Sequence, residues 1–137
     1  MKLPPFRLER FFARYEFAVP HLLCASDCEP LTLAELLALA DDETRAGWEQ
    51  LSLGYTESQG HPLLRQAIAA LYPGLGADDV LVLAPEEGIF IAMNALLEAG
   101  DQVVVTWPGY QSLYAVAEAI GCTVRRWLPH EETAWRY

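Results

Sequence analysis

Between residues 80 and 127 the chain alternates short apolar runs with helical patterns, and that alternation leaves few folds open to it. Val80-Leu81-Val82-Leu83-Ala84 is an unbroken apolar run of the kind carried by a strand buried on both faces. Residues 85–98 then set Ile89, Ala92, Met93, Leu96 and Leu97 on a helical stripe, with Gly100 placed to end it. Residues 102–106 read as a second strand, 110–120 as a helix closed by Gly121, and 122–127 as a third strand. Strand, helix, strand, helix, strand at these lengths predicts an α/β fold, with a mainly parallel sheet and right-handed crossovers. The expected architecture is part of a three-layer sandwich, preceded by a helical N-terminal segment.

The first half of the chain is less regular. Leu8, Phe11, Phe12 and Tyr15 recur at helical spacing after two prolines, predicting a helix over 6–16. Residues 17–26 read as extended or looped. Thr32-Leu33-Ala34-Glu35 has the form of a capping box, with Leu33, Leu36, Leu37 and Ala40 following on one face. The polar stretch 41–50 is expected to bring that helix to an end near Gly47. A loop over 53–59 precedes Pro62, which opens a helix whose expected buried stripe is Leu64, Ala67, Ile68 and Leu71; Pro73-Gly74 stops it.

Composition narrows what such a fold can do. With 137 residues there is room for one domain or part of a larger one. Hydrophobic residues at 53% against 20% charged argue for a globular chain. Its nine lysines and arginines are scattered and the net charge is −10, which excludes a nucleic-acid footprint and disfavours anionic membrane surfaces. No apolar run approaches the roughly 20 residues of a membrane span. Met1-Lys2-Leu3-Pro4-Pro5 leads into a charged amphipathic stretch rather than a signal-peptide core. Cys24, Cys28 and Cys122 are expected to be buried free thiols of a reducing cytoplasm. His21, His61 and His130 stand apart from them, so no metal site is expected.

Several segments in order and at fitting spacings, over residues 22–127, resemble the class I/II aminotransferases, fold-type I enzymes that use pyridoxal phosphate. Tyr55, Gly60 and Leu64-Arg65-Gln66-Ala67-Ile68 match the family's Tyr-x4-Gly-x3-Leu-Arg-x-Ala-Ile stretch. Asp79-Val80-Leu81-Val82 leads into a turn and a helix at Glu87-Gly88-Ile89, where the family has Gly-Ala-x-Glu-Ala-Ile. Ala99-Gly100-Asp101-Gln102-Val103-Val104-Val105 and Pro108-Gly109-Tyr110 match its Pro-Gly-Asp-x-Val, with Ala99 in place of the proline, and the Pro-x-Tyr that follows. The resemblance implies an incomplete large domain, with residues 1–50 as a small-domain and arm portion and residues 51–137 as the start of the cofactor-binding domain.

It also implies roles. Tyr110 would stack on the pyridine ring, where the plain alternative is a core tyrosine opening a helix. Tyr55 would reach the cofactor phosphate of a neighbouring subunit in a homodimer; the alternative is a loop tyrosine packed on the Pro62 helix. Residues 26–29 lie where the family has its substrate-carboxylate loop, although Asp27 and Glu29 would repel a carboxylate. Arg65 belongs to the family's Leu-Arg pair and is expected to make a structural ion pair. Pro85, Glu86 and Glu87 occupy the cofactor-phosphate turn and depart from its pattern. Pro85 has no N–H to donate, and Glu86 puts a carboxylate where the family has a hydroxyl. The same three residues also make a favourable start for an ordinary helix.

Chemistry on this cofactor needs a lysine amine and an acidic partner for the pyridine nitrogen. The only lysine is Lys2. In the family the lysine, the aspartate and the carboxylate-binding arginine all come later than residue 137, so no catalytic residue is assigned here. The resemblance implies the N-terminal portion of an enzyme acting on an amino acid, inactive as this chain alone. A truncated product, a split gene product or a fragment of a longer protein is expected. So is association, either as a homodimer or with a complementary C-terminal segment. A second reading is a non-catalytic dimerisation or interaction fragment that kept the fold's Phe-rich N-terminal helix. A nucleotide-binding domain is disfavoured, since neither a Gly-x-Gly-x-x-Gly nor a Walker pattern is present.

Overall fold

The structure, a computed structural model, describes residues 2–137. Its contacts divide the chain into two compact units: Leu22–Leu81, and a second running up to His21 and from Val82 to Tyr137.

Within Leu22–Leu81 the capping box forms as the sequence predicts. Glu35 donates its N–H to Thr32 Oγ1 at 3.2 Å, and the Glu35 carboxylate accepts from the Thr32 N–H at 2.8 Å. The resulting helix α2, Leu33–Ala38, is short. The expectation that it runs on toward Gly47 is corrected by Asp41, which accepts from the Thr44 N–H at 2.8 Å and starts a new helix, α3, Asp42–Glu49. Aspartate is a strong N-cap, and here it competes successfully with continuation of the helix before it. Helix α4, Pro62–Ala69, begins at Pro62 as expected. Its buried face, however, is Arg65 and Ala69, while Leu64 and Leu71 are exposed. Arg65 turns that face inward: its Nε donates to the Val80 carbonyl at 3.0 Å and its guanidinium pairs with Asp78 at 3.0 Å. The expected structural role of Arg65 is therefore seen. Cys24 and Cys28 are exposed and Cys122 is half-buried, against the expectation that all three are buried.

In the other unit, helix α1 spans Arg7–Tyr15, helix α5 Pro85–Leu96 and helix α6 Ser112–Ile120. Strands β1, Gln102–Thr106, and β2, Thr123–Trp127, pair in parallel with Gln102 opposite Thr123 and Thr106 opposite Trp127. Two parallel strands cannot be joined by a tight turn, and α6 is the crossover between them. The core is Val105 of β1 with Ala115, Val116 and Ala117 of α6, all buried. Small alanines on α6 let it approach its neighbours closely. Gly121 ends α6 in the left-handed conformation at φ 106°, and the Cys122 N–H returns to the Ala117 carbonyl at 3.0 Å. A Cβ at Gly121 would also stand 3.1 Å from that of Ala99. Gly121→Ala is expected to cost about 1–2 kcal/mol, read as a lower midpoint of urea unfolding.

The chain is thus α/β with a small parallel sheet, but one predicted strand is corrected. Residues 80–84 are extended at their two ends, Val80 at φ −110°, ψ 127° and Ala84 at φ −64°, ψ 143°, yet they pair with neither β1 nor β2. An apolar run with two valines favours extended backbone, whereas a strand exists only when a neighbour supplies the ladder. The Val80 carbonyl is instead taken by Arg65. No helix among the described residues is long and apolar enough to cross a membrane. A two-stranded sheet has an open edge on each strand, and Val104 on β1 is 63% exposed. Association at micromolar concentration is the expected result in sedimentation velocity, and a stable compact monomer would contradict it.

Candidate functional site

The α5 N-terminus is built by Ala84, Pro85, Glu86 and Glu87. Ala84 is the extended N-cap residue, Pro85 fixes the first helical position, and the two acids lie in the first turn, where the helix dipole favours negative charge. No side chain caps this end, and the Gly88 N–H is the first to return, to the Ala84 carbonyl at 2.9 Å. The N–H groups of Glu86 and Glu87 point out of the helix toward whatever occupies its mouth. The Glu86 carboxylate accepts a hydrogen bond from Ser112 Oγ at 3.2 Å, and Ser112, the first residue of α6, is 1% exposed.

Tyr110 stands just before α6, on the turn that leaves β1. Gly109 makes the turn possible, since a Cβ there would come within 2.6 Å of the Thr106 carbonyl oxygen. The Tyr110 ring is partly exposed, and its hydroxyl donates a hydrogen bond to the Glu9 carboxylate on α1. That bond, with desolvation and the nearby Glu86 carboxylate, pushes the phenol from 10 up to about 12. A phenol whose folded value lies above its unfolded one stabilises the fold fully below pH 10 and loses that contribution as pH rises toward about 12. Alkaline difference spectroscopy should show one tyrosine ionising near pH 12. That step should vanish in Tyr110→Phe and move down in Glu9→Gln; a parent spectrum with all six tyrosines ionising together near the ordinary value would contradict it.

Four of the five site residues singled out in the sequence, Pro85, Glu86, Glu87 and Tyr110, lie in this one unit. Ser112, two residues after Tyr110, joins α6 to Glu86 of α5. Tyr55 belongs to the Leu22–Leu81 unit, fully exposed on an irregular loop, and is not packed on α4 as its plain reading supposed. Residues 26–29 of that unit are likewise exposed and irregular. Sequence reasoning missed Glu9, Ser112 and Gln111. A serine opening an apolar helix was a visible signal for Ser112, although it reads as a cap and serves instead as a donor to Glu86. Nothing local marks Glu9, which lies 101 positions from its partner.

The sequence model of "aminotransferase class I and II" matches residues 22–136. The chain belongs to this family. Among curated relatives it is similar to capreomycidine synthase of Streptomyces vinaceus, 33% identical over 129 residues, covering 91% of this chain and 33% of that protein. It is also similar to the valine–pyruvate aminotransferase of Mycobacterium tuberculosis, 36% identical over 78 residues, 53% of this chain and 20% of that one. Among solved structures, a PLP-dependent aminotransferase from Streptococcus suis superposes with TM-score 0.84 at 28% identity, covering 99% of this chain and 37% of that one. A PLP-dependent cyclase, OrfR, superposes with TM-score 0.76 at 31% identity, covering 93% of this chain and 33% of that one. The chain therefore spans about a third of the length of capreomycidine synthase and of these two solved structures, and a fifth of the valine–pyruvate aminotransferase. Pyridoxal phosphate is the cofactor that membership of the family implies.

Proposed function

We propose that these residues are the N-terminal portion of a pyridoxal-phosphate-dependent enzyme of the aminotransferase family that acts on an amino acid in the cytoplasm. The observation that carries this reading is the Ser112–Glu86 hydrogen bond, which joins the start of α6, two residues after Tyr110, to the uncapped α5 N-terminus in one unit. A flat, electron-poor ring bearing a phosphate asks for an aromatic face beside a set of free N–H donors. Tyr110 supplies the face, and Glu86 and Glu87 supply backbone donors. Pro85 supplies none. The Glu86 carboxylate accepts from Ser112 Oγ and would still repel a phosphate, while its backbone N–H remains free to donate. The residues fit the holding of the cofactor in these respects.

When bound, pyridoxal phosphate supplies the electron sink for chemistry at the amino acid's α-carbon. What this chain contributes is binding and orientation: a stacked ring position at Tyr110 and a phosphate position at α5. Lys2 is its only lysine, so the chain by itself is inactive in this proposal, and the remaining functional groups come from elsewhere in the whole protein. Residues 1–50 are proposed as the small-domain and arm portion of that protein and 51–137 as the start of its cofactor domain. Tyr55 is proposed to serve a partner subunit's phosphate in a dimer. The second reading, a non-catalytic interaction fragment, draws on the open edges of the sheet.

Titration with pyridoxal phosphate, followed by tryptophan quenching, tests the proposal. The parent chain should show saturable binding, weakened about tenfold in Tyr110→Ala, the scale expected for loss of an aromatic stacking partner. Glu86→Thr should raise affinity severalfold, because it removes a negative charge beside a phosphate and adds a hydroxyl donor. Binding indifferent to Tyr110, or absent, would sink the cofactor assignment and favour the interaction-fragment reading.

A further inference from the structure

Beside this site, and separate from the Tyr110 hydroxyl and the α5 mouth, the same unit contains a pocket of about 600 Å³. One wall is the strap of Pro4 and Pro5, and the others are Arg7, Trp107, Gln111, Tyr114 and Arg126. Gln111 fixes the strap at two points. Its Nε2 donates to the Pro5 carbonyl at 3.1 Å, and its Oε1 accepts from the Arg7 N–H at 2.9 Å. Both hydrogen-bonding ends of that amide are thus committed to building the wall.

The chemistry of the lining is two-sided. Arg126, opposite Val105 in the sheet register, lies over the Trp107 ring with its guanidinium carbon 3.9 Å from the ring centre. Trp107 in turn meets Tyr114 edge to face at 4.9 Å. The indole therefore preorganises a cation at the pocket wall. Arg7 contributes a second guanidinium. Among the described residues neither has a carboxylate partner, and no acid lines the pocket. Acids outnumber bases 19 to 9 in this chain, so two arginines left without acids at one pocket are the reverse of what its composition would scatter there. Apart from Gln111, aromatic rings and prolines make up the rest of the lining.

We propose that this pocket binds a small organic carboxylate with a flat apolar body. The carboxylate would be held between the Arg7 and Arg126 guanidiniums, which match it in planar, forked geometry, and the body would lie against Trp107, Tyr114 and the strap. Inorganic anions satisfy the charges but leave the apolar walls wet. The inference is independent of pyridoxal phosphate, and its readout does not involve that cofactor's spectrum.

Benzoate is the probe. With the chain labelled at its indole nitrogens, the Trp107 N–H resonance is assigned by its loss in Trp107→Phe. Benzoate should shift that resonance saturably among the four tryptophans. The dissociation constant should rise about tenfold in Arg7→Ala and at least as much in Arg126→Ala, the scale expected for one charge-assisted contact. Arg126 packs on Trp107, so its loss can disturb the fold; Arg7 sits at the exposed start of α1 and its variant keeps the test decisive. Inorganic phosphate at matched ionic strength should give a weaker, unsaturated shift. The proposal is overturned if benzoate gives no saturable shift, if its affinity survives Arg7→Ala, or if phosphate matches it. It is also overturned if pyridoxal phosphate displaces benzoate and Tyr110→Ala abolishes its binding, which would put benzoate in the cofactor position.

Discussion

Replacing Gly109 by alanine should destabilise the chain by about 2 kcal/mol or more, the upper part of the range for a side chain forced into occupied space. The Cβ would meet the Thr106 carbonyl oxygen at 2.6 Å. That oxygen is backbone at the end of β1, where Thr106 is in register with Trp127 and the Trp107 N–H donates to the Trp127 carbonyl at 2.8 Å. It cannot step aside without breaking the end of the parallel pair. The turn also aims Tyr110, so the alanine variant should lose the late phenol ionisation together with stability. Gly47, inside α3, is the internal contrast: nothing lies within 4 Å of an added Cβ there. Gly47→Ala should therefore stabilise by about 0.5–1 kcal/mol through helix propensity and a less flexible unfolded chain. Urea midpoints of the two variants moving in opposite directions is the expected result; equal midpoints would show that the Thr106–Tyr110 turn is looser than the structure makes it.

Arg65→Ala should cost about 2–3 kcal/mol, the range for losing a hydrogen bond from a charged donor in a buried setting. Two interactions compete for the credit. The ion pair with Asp78 involves a carboxylate that is fully exposed, and such pairs are worth about 0–1 kcal/mol. The bond from Nε to the Val80 carbonyl lies inside, and the arginine's apolar stem is buried along α4. The second effect wins, so Asp78→Asn should cost less than about 0.5 kcal/mol and be blunted further by salt. Near-equal losses for the two substitutions would contradict this division, as would a strong salt dependence in the Arg65 variant.

Local signals in the sequence were legible wherever one segment settles its own structure. The Thr32 and Glu35 capping box, the Pro62 helix start, β1 at residues 102–106 and the glycine closing α6 all follow from neighbouring residues. The misses are places where a distant residue decides. Residues 80–84 carry a strand's composition, but no local rule supplies the partner that would make them one. The buried face of α4 is set by Arg65 reaching Val80 and Asp78, which hydrophobic periodicity does not weigh. At the candidate site, Tyr110 and residues 85–87 were singled out by the family resemblance and not by any local rule. Glu9 and Gln111 entered only with the fold, because each is joined to its partner across more than 100 positions.

Mass analysis of the chain after incubation with pyridoxal phosphate, borohydride reduction and dialysis tests most directly whether it recognises the cofactor without anchoring it. Saturable, Tyr110-dependent quenching before dialysis, followed by the mass of the bare chain after it, is the expected outcome. A stoichiometric cofactor adduct mapped to Lys2, accompanied by transaminase activity, would contradict it.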